Sequence, residues 1–160
     1  MKTWIIGGAG LAAALAIGTA STAQQIDAEM KPLPGQYSAN ITVQSVDMPD
    51  APPEMAGMIG NMMNQEFNFC LTQQEVEEGF RSVMNRSQQG ECSYTRFNAT
   101  GGKIDAEMTC DAGGSPMTMV MKGTGSPTSS DVTMTMSGDM GMGPGSITMR
   151  VVNRRLGDCS

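Results

Sequence analysis

Seventeen methionines and four cysteines are the distinctive side chains of this 160-residue sequence, which contains no histidine. Met117, Met119 and Met121 recur at period two, as do Met134 and Met136, and Met140, Met142 and Met149 follow. Met55, Met58, Met62 and Met63 recur instead at helical spacing. A thioether is a soft ligand that favours Cu(I), and exported copper handlers present Met-x-Met or Met-x-x-Met clusters for that purpose. Unbranched methionine is also a filler of irregular cores and a wall of adaptable apolar pockets. Alternation along a strand sends successive residues of this pattern to one face. Met117, Met119, Met121, Met134 and Met136 therefore read first as core or as a candidate apolar ligand face. The alternative is a Cu(I)-binding or methionine-based antioxidant protein, since methionine sulfoxide is returned to the thioether by reductases. The Met140-Gly141-Met142 turn, outside regular strand pairing, is where such a copper site is expected.

Catalytic readings fare poorly. A Ser-His-Asp or Cys-His arrangement needs a histidine, and there is none. Glu75, Glu77 and Glu78 form a short run on a helix and read as a solvated face. Asp105 and Glu107 share one strand face, but a glycosidase-type pair also needs a pocket. Gly138–Gly145 is rich in glycine yet lacks the lysine and the strand-to-helix context of a phosphate loop. Arg154 and Arg155 are adjacent on a strand, so they point to opposite faces and solvate the chain end. No catalytic residue, cofactor or metal ligand is assigned, and the expectation is a non-enzymatic protein.

The cysteines speak to compartment and scaffold. Lys2 precedes an apolar run from Ile5 to Ile17, shorter than the roughly 20 residues that span a bilayer as a helix. Ser21 and Ala23 are small at the positions a signal peptidase requires, which predicts a leader over residues 1–23, cleaved after Ala23. Residues 24–160 are then one domain by size, without a transmembrane segment, in the periplasm. The formal charge of −6 argues against nucleic acid and anionic membrane surfaces as partners. An even number of cysteines in an exported chain implies two disulfides, whereas zinc would want a CxxC pair or histidine. Cys92 and Cys110 flank Thr100-Gly101-Gly102. A three-residue turn with Gly102 left-handed sets them directly opposite each other, at bridging distance. A two-residue turn at Gly101-Gly102 would put them on opposite faces unless a bulge corrected the register. Cys92–Cys110 leaves Cys70–Cys159.

The elements that hold these residues are mostly strands. Period-two runs cover Tyr37–Val46, Glu66–Leu71, Cys92–Asn98, Lys103–Asp111, Met117–Lys122, Val132–Ser137 and Ser146–Leu156. The Gly-, Ser-, Thr- and Pro-rich Gly123–Asp131 reads as a loop. Met55, Met58, Ile59, Met62 and Met63 predict a short amphipathic helix with Pro53 in its first turn, weakened by Gly57 and Gly60. Thr72-Gln73-Gln74-Glu75 is a capping-box pattern opening a second helix with Val76, Phe80 and Val83 as its apolar stripe, and Gly90 marks the exit. The fold class is mainly β (α+β): an antiparallel meander of about seven strands curling into a half-barrel, with one or two short helices over one face or opening. A half-barrel lined with methionine would hold one apolar ligand, unless its own side chains fill it.

Several landmarks occur in order along nearly the whole of residues 24–160. They are Gly35-Gln36-Tyr37, Met48-Pro49, Cys70-Leu71-Thr72, the central Cys92 and Cys110, and Arg154-Arg155-Leu156-Gly157-Asp158-Cys159. In these the chain resembles domain-of-unknown-function family 3617, small exported proteobacterial proteins, with Tyr37 where a tryptophan is usual. The resemblance implies an envelope location and a disulfide-linked β domain, and carries no activity. The expected role is a binding or interaction module of the envelope, its partner an apolar small molecule or an envelope protein.

Overall fold

The computed structural model describes residues 25–78, 91–111, 115–141 and 143–159. The expected leader at 1–23, together with Phe80, Val83, Gly90 and Met142, lies outside them. Eight strands form one sheet: β1 (Gln25–Ile26), β2 (Gly35–Asp47), β3 (Gln65–Leu71), β4 (Glu91–Thr100), β5 (Lys103–Asp111), β6 (Pro116–Ser126), β7 (Ser129–Asp139) and β8 (Pro144–Gly157). Helix α1 covers Pro53–Met63 and α2 covers Gln73–Glu78. The spatial order is β1-β4-β5-β6-β7-β8-β2-β3. All neighbours are antiparallel except β1 against β4. The meander is thus the expected one, seven antiparallel strands in an unclosed sheet, with a two-residue parallel strand added at one end. β8, the last strand, returns to pair with β2, so the first and last long strands lie side by side.

The hairpins follow their turn residues. Thr100 pairs with Lys103, so the β4–β5 turn has two residues, Gly101 and Gly102, at φ +56° and +74°. Positive φ at both positions is the primed turn that matches strand twist, and glycine adopts it without steric cost. The expected three-residue turn is therefore incorrect. The bulge alternative holds: the register slips between Tyr94 and Arg96, which returns Cys92 to the position opposite Cys110. The Thr95 hydroxyl at the bulge donates to the Glu107 carbonyl at 3.3 Å. Cys92 is bonded to Cys110 and Cys70 to Cys159.

The expected Gly123–Asp131 loop is also corrected. Strands β6 and β7 run on through it to Ser126 and Ser129, leaving only Pro127 and Thr128 to turn. Contacts from elsewhere in the chain stabilise this extension. The Ser126 hydroxyl accepts the amides of Thr128 and Ser129 at 3.3 and 3.1 Å, while the Pro127 and Thr128 carbonyls accept the amides of Leu33 and Arg155. Tertiary pairing here overrides a local composition that favours a loop.

A segment that the sequence did not announce ties this end together. After β1 pairs with β4, Asp27 donates its amide to the Ala99 carbonyl at 2.9 Å and accepts the Gly101 amide at 2.9 Å. The chain then passes Met30, buried beside Ile104, and enters β2. The Tyr37 hydroxyl lies 2.7 Å from the Leu33 carbonyl and 3.0 Å from that of Pro127, a shared donor for both. Burial pushes the Tyr37 phenol above its usual value, partly countered by Arg155. Arg155 is not the solvated residue expected: its Nε donates to the Pro34 carbonyl at 2.9 Å, and it pairs with Asp158. Gly35 allows this crowding, since a Cβ there would stand 2.3 Å from the Gly157 carbonyl oxygen. Thus Gly35, Tyr37, Cys70, Arg155 and Cys159, drawn from distant parts of the sequence, meet at one corner where β3, β2 and β8 end.

The two bridges sit in different surroundings. Cys70 and Cys159 are exposed, while Cys110 is buried on the inner face of the sheet. The exposed bridge spans a sequence separation of 89 and the buried one 18, so loop-closure entropy assigns them about 4.5 and about 3 kcal/mol. Dithiothreitol under native conditions, followed by alkylation and peptide mapping, is expected to label Cys70 and Cys159 first. Earlier labelling of Cys92 and Cys110 would mean that the buried strand pair opens before the corner does.

Candidate functional site

Register decides where the methionines lie. In antiparallel pairs, residues directly opposite share a face. Between β5 and β8 no register shift interrupts the ladder. One row across the sheet reads Tyr94, Met108, Met119, Met136, Ile147 and Val46. The next reads Phe97, Ala106, Met121, Met134, Met149 and Val43. Met117 belongs to a third row, between Cys110 and Gly138. The five residues singled out from sequence, Met117, Met119, Met121, Met134 and Met136, are therefore all on one face. Met108 and Met149, which periodicity also assigns there, complete the surface.

This face is the core side. Met108 has no exposed surface, and Ala106, Cys110, Met119, Met121 and Val132 cluster with it. Met134, Met136, Ile104, Cys92, Tyr94 and Phe97 pack around the cluster. Tyr94 and Phe97 meet edge to face at 5.4 Å, a favourable aromatic geometry. With few aromatic residues available, the long thioethers fill the interior. Truncating Met108 would remove its contacts and leave a void.

The face carries a helix at one end. α1 packs chiefly against β2. The position of a Cβ on Gly60 lies 3.8 and 3.9 Å from Val43 and Val46, which belong to the methionine rows, so α1 is on the same side of the sheet as those methionines. Sequence pattern and structure part company here. The small residues Ala56 and Gly60 face β2, because only they permit so close an approach, while the methionine stripe turns partly outward. Met58 is 63% and Met62 75% exposed, and α1 has no fully buried residue. The β2–β3 ladder ends at Ile41 and Gln65, and just beyond it the Val43 amide donates to Asn64 Oδ1 at 2.7 Å, which ties the end of α1 to the strand. Between helix and strand lies an open groove of about 310 Å³, lined by Val43, Val46, Ala56, Gly57 and Gly60 and by the polar Gln44, Ser45, Asn61 and Asn64.

The opposite face is polar and charged. Asp105 and Glu107 do share a side, but Arg96 stands between them, 2.8 Å from Asp105 and 3.6 Å from Glu107, in an exposed ion-pair cluster. Arg150 chelates Asp131; this hydrogen bond, aided by charge, holds the Asp131 carboxyl below its usual range and raises the Arg150 guanidinium. A carboxyl lowered in this way stabilises the fold above the ordinary carboxylate range and loses that effect as pH falls; its exposure keeps the effect small. Thr72 and Glu75 form the reciprocal capping box expected, with the Glu75 amide 3.2 Å from Thr72 Oγ1 and the Thr72 amide 2.9 Å from Glu75 Oε2. Met140 lies beside buried Met48, both lining the space next to Gly145. Met142 is outside the described residues, and no group of three or more metal-binding acidic or cysteine side chains occurs among those described. No described helix is long and apolar enough to cross a membrane.

Residues 32–159 match the family described as Protein of unknown function (DUF3617). The chain belongs to that family. No curated protein and no solved structure matches it. The landmarks by which the sequence resembled this family fall largely at the corner of β2, β3 and β8 and at the Cys92–Cys110 bridge. They build the scaffold, whereas the methionine face lies between them.

Exposure ranks the thioethers for chemistry. Dilute hydrogen peroxide is expected to convert Met58 and Met62 to sulfoxides well before Met108, Met119, Met121 and Met149, as read by peptide mass mapping. Equal rates across both groups would show that the strand face is open to solvent.

Proposed function

We propose that this protein is an exported, non-enzymatic binding module of the cell envelope that takes up an apolar small molecule, such as an acyl chain, against its methionine face beneath α1. The observation that carries the reading is the helix itself. α1 lies on the methionine side of the sheet, has no fully buried residue, and leaves a groove beside Val43 and Val46. A helix so lightly packed is cheap to displace, because opening free energy follows buried apolar contact. Displacing it extends the groove toward Met149 and Ile147, which neighbour Val43 and Val46 across the β8 pairing. Methionine suits such a wall because its unbranched side chain repacks around different shapes. Disulfides suit an oxidising compartment, which supports the envelope location.

The test is titration with a fluorescent fatty acid, read by emission change and competition with the unlabelled acid. Saturable binding is expected, and Gly60→Leu, which fills the groove beside Val43 and Val46, should weaken it about tenfold or more, a cost of at least 1.4 kcal/mol. Absent saturation, or binding indifferent to Gly60→Leu in a folded variant, would overturn the proposal. A second reading draws on the exposure of Met58 and Met62, which offers thioethers to an oxidant or to Cu(I). Competition for Cu(I) against a chromophoric chelator tests the metal form of that reading, and no competition ends it.

A further inference from the structure

The sheet has two ends, and they are finished differently. At the first, β1 covers Asn98 and Ala99 of β4, and the bulge at Thr95 breaks the remaining edge. Bulges, short cover strands and charges are the usual means of keeping an edge from pairing with another chain. The other end is β3, whose seven residues pair with β2 in unbroken register from Gly35–Leu71 to Ile41–Gln65. Its outer side has no strand partner among the described residues. It contains no proline, no lysine, no arginine and no bulge, and its single charge is Glu66. Phe67 on this strand is 46% exposed, and the helix that precedes it in the chain, α1, exposes Met58 and Met62. Phe67 lies 6.2 Å from Phe69, which stacks on Tyr37 at 5.6 Å, so an aromatic row runs along this edge.

We propose that β3 pairs with β3 of a second copy of this chain, antiparallel, about a two-fold axis through Asn68. The strand's own sequence selects this occupant and register. Opposed residues must share a face, so only alternate registers are allowed. Among these, the one centred on Asn68 is the only one that pairs all seven residues. It sets Phe67 against the partner's Phe69 twice over, joining four rings on the apolar side. On the polar side it sets Asn68 against the partner's Asn68. Glu66 falls opposite the partner's Cys70, which separates the two carboxylates by about 14 Å, beyond the Debye length of about 8 Å at physiological salt. The one charge on the strand is thus placed where it does not oppose pairing. The interface is isologous, and the two sheets become one continuous sheet.

Asn68 is exposed and, in this register, faces only its own copy, which gives a selective test. Sedimentation velocity of the full disulfide-intact chain over a concentration series is expected to show a monomer–dimer equilibrium. Asn68→Lys and Asn68→Asp each set like charges directly opposite at the axis and should weaken the dimer about tenfold or more. Mixed in equal amounts, the two variants should associate as a one-to-one heterodimer. Circular dichroism and melting temperature of each variant, unchanged from the parent, separate loss of pairing from loss of fold. A chain that stays monomeric, a dimer that both variants leave intact, or variants that do not rescue each other would overturn the proposal. Slow amide exchange along the outer side of β3 in a monomer would also overturn it, since another part of the same chain would then hold that edge.

Discussion

Everything in this molecule rests on a ladder that does not slip. From β5 to β8 each strand pairs with the next without a bulge, and period-two alternation does the rest. A shift by one residue anywhere in that stretch would turn a whole strand's methionines to solvent and bury threonines in their place. The consequence is a single sheet with two chemically opposed faces. One bears stacked thioethers, alanine and valine; the other bears hydroxyls and ion pairs such as Arg150–Asp131 and Arg96–Asp105.

The irregularities are confined to the flanks, where they serve the regular centre. The bulge at Thr95 brings Cys92 to Cys110 and lets a two-glycine turn coexist with the bridge. Beyond the end of the β2–β3 ladder the Val43 amide donates to Asn64 and so fixes where α1 returns to the sheet. At the lower corner, Tyr37, Arg155 and the Pro34 and Pro127 carbonyls join the segment before β2 to β8 and to the β6–β7 turn. An open sheet has no barrel closure to rely on, so these cross-links, together with Cys70–Cys159, hold its flanks.

What the sequence made legible is what depends on period and parity. The seven strands, the methionine face and the capping box at Thr72–Glu75 all follow from residue spacing within one element. The cysteine pairing was legible in outcome but not in its turn: a three-residue turn was expected to set Cys92 opposite Cys110, and a two-glycine turn with a bulge at Thr95 does so instead. What depends on contacts between distant segments was not legible. Gly123–Asp131 has the composition of a loop, yet it is strand because the amides of Leu33 and Arg155 reach the turn at its tip. Arg155 looks like a terminal solvated charge until Pro34 and Gly35 are placed beside it. In α1 the apolar stripe was read correctly as a stripe, but closeness of approach, not hydrophobicity, chose which side meets β2. Small residues won that contest, and Met58 and Met62 were left outward while Met55, Ile59 and Met63 are half-buried.

A core built on thioethers has a mechanical meaning. Methionine supplies contact area comparable to an aliphatic side chain while keeping several rotatable bonds, so the interior is dense but adaptable. That combination suits the proposed function, in which the wall repacks around an apolar guest beneath α1. The claim stands on the register that brings the methionines together. Selective carbon-13 labelling of the methionine methyl groups, with nuclear Overhauser contacts assigned by single Met→Leu variants, measures it directly. Contacts linking Met108 to Met119, Met119 to Met136, Met121 to Met134 and Met134 to Met149 are expected. Methyl groups of these residues that see solvent as much as those of Met58 and Met62, and show no contacts with one another, would contradict it.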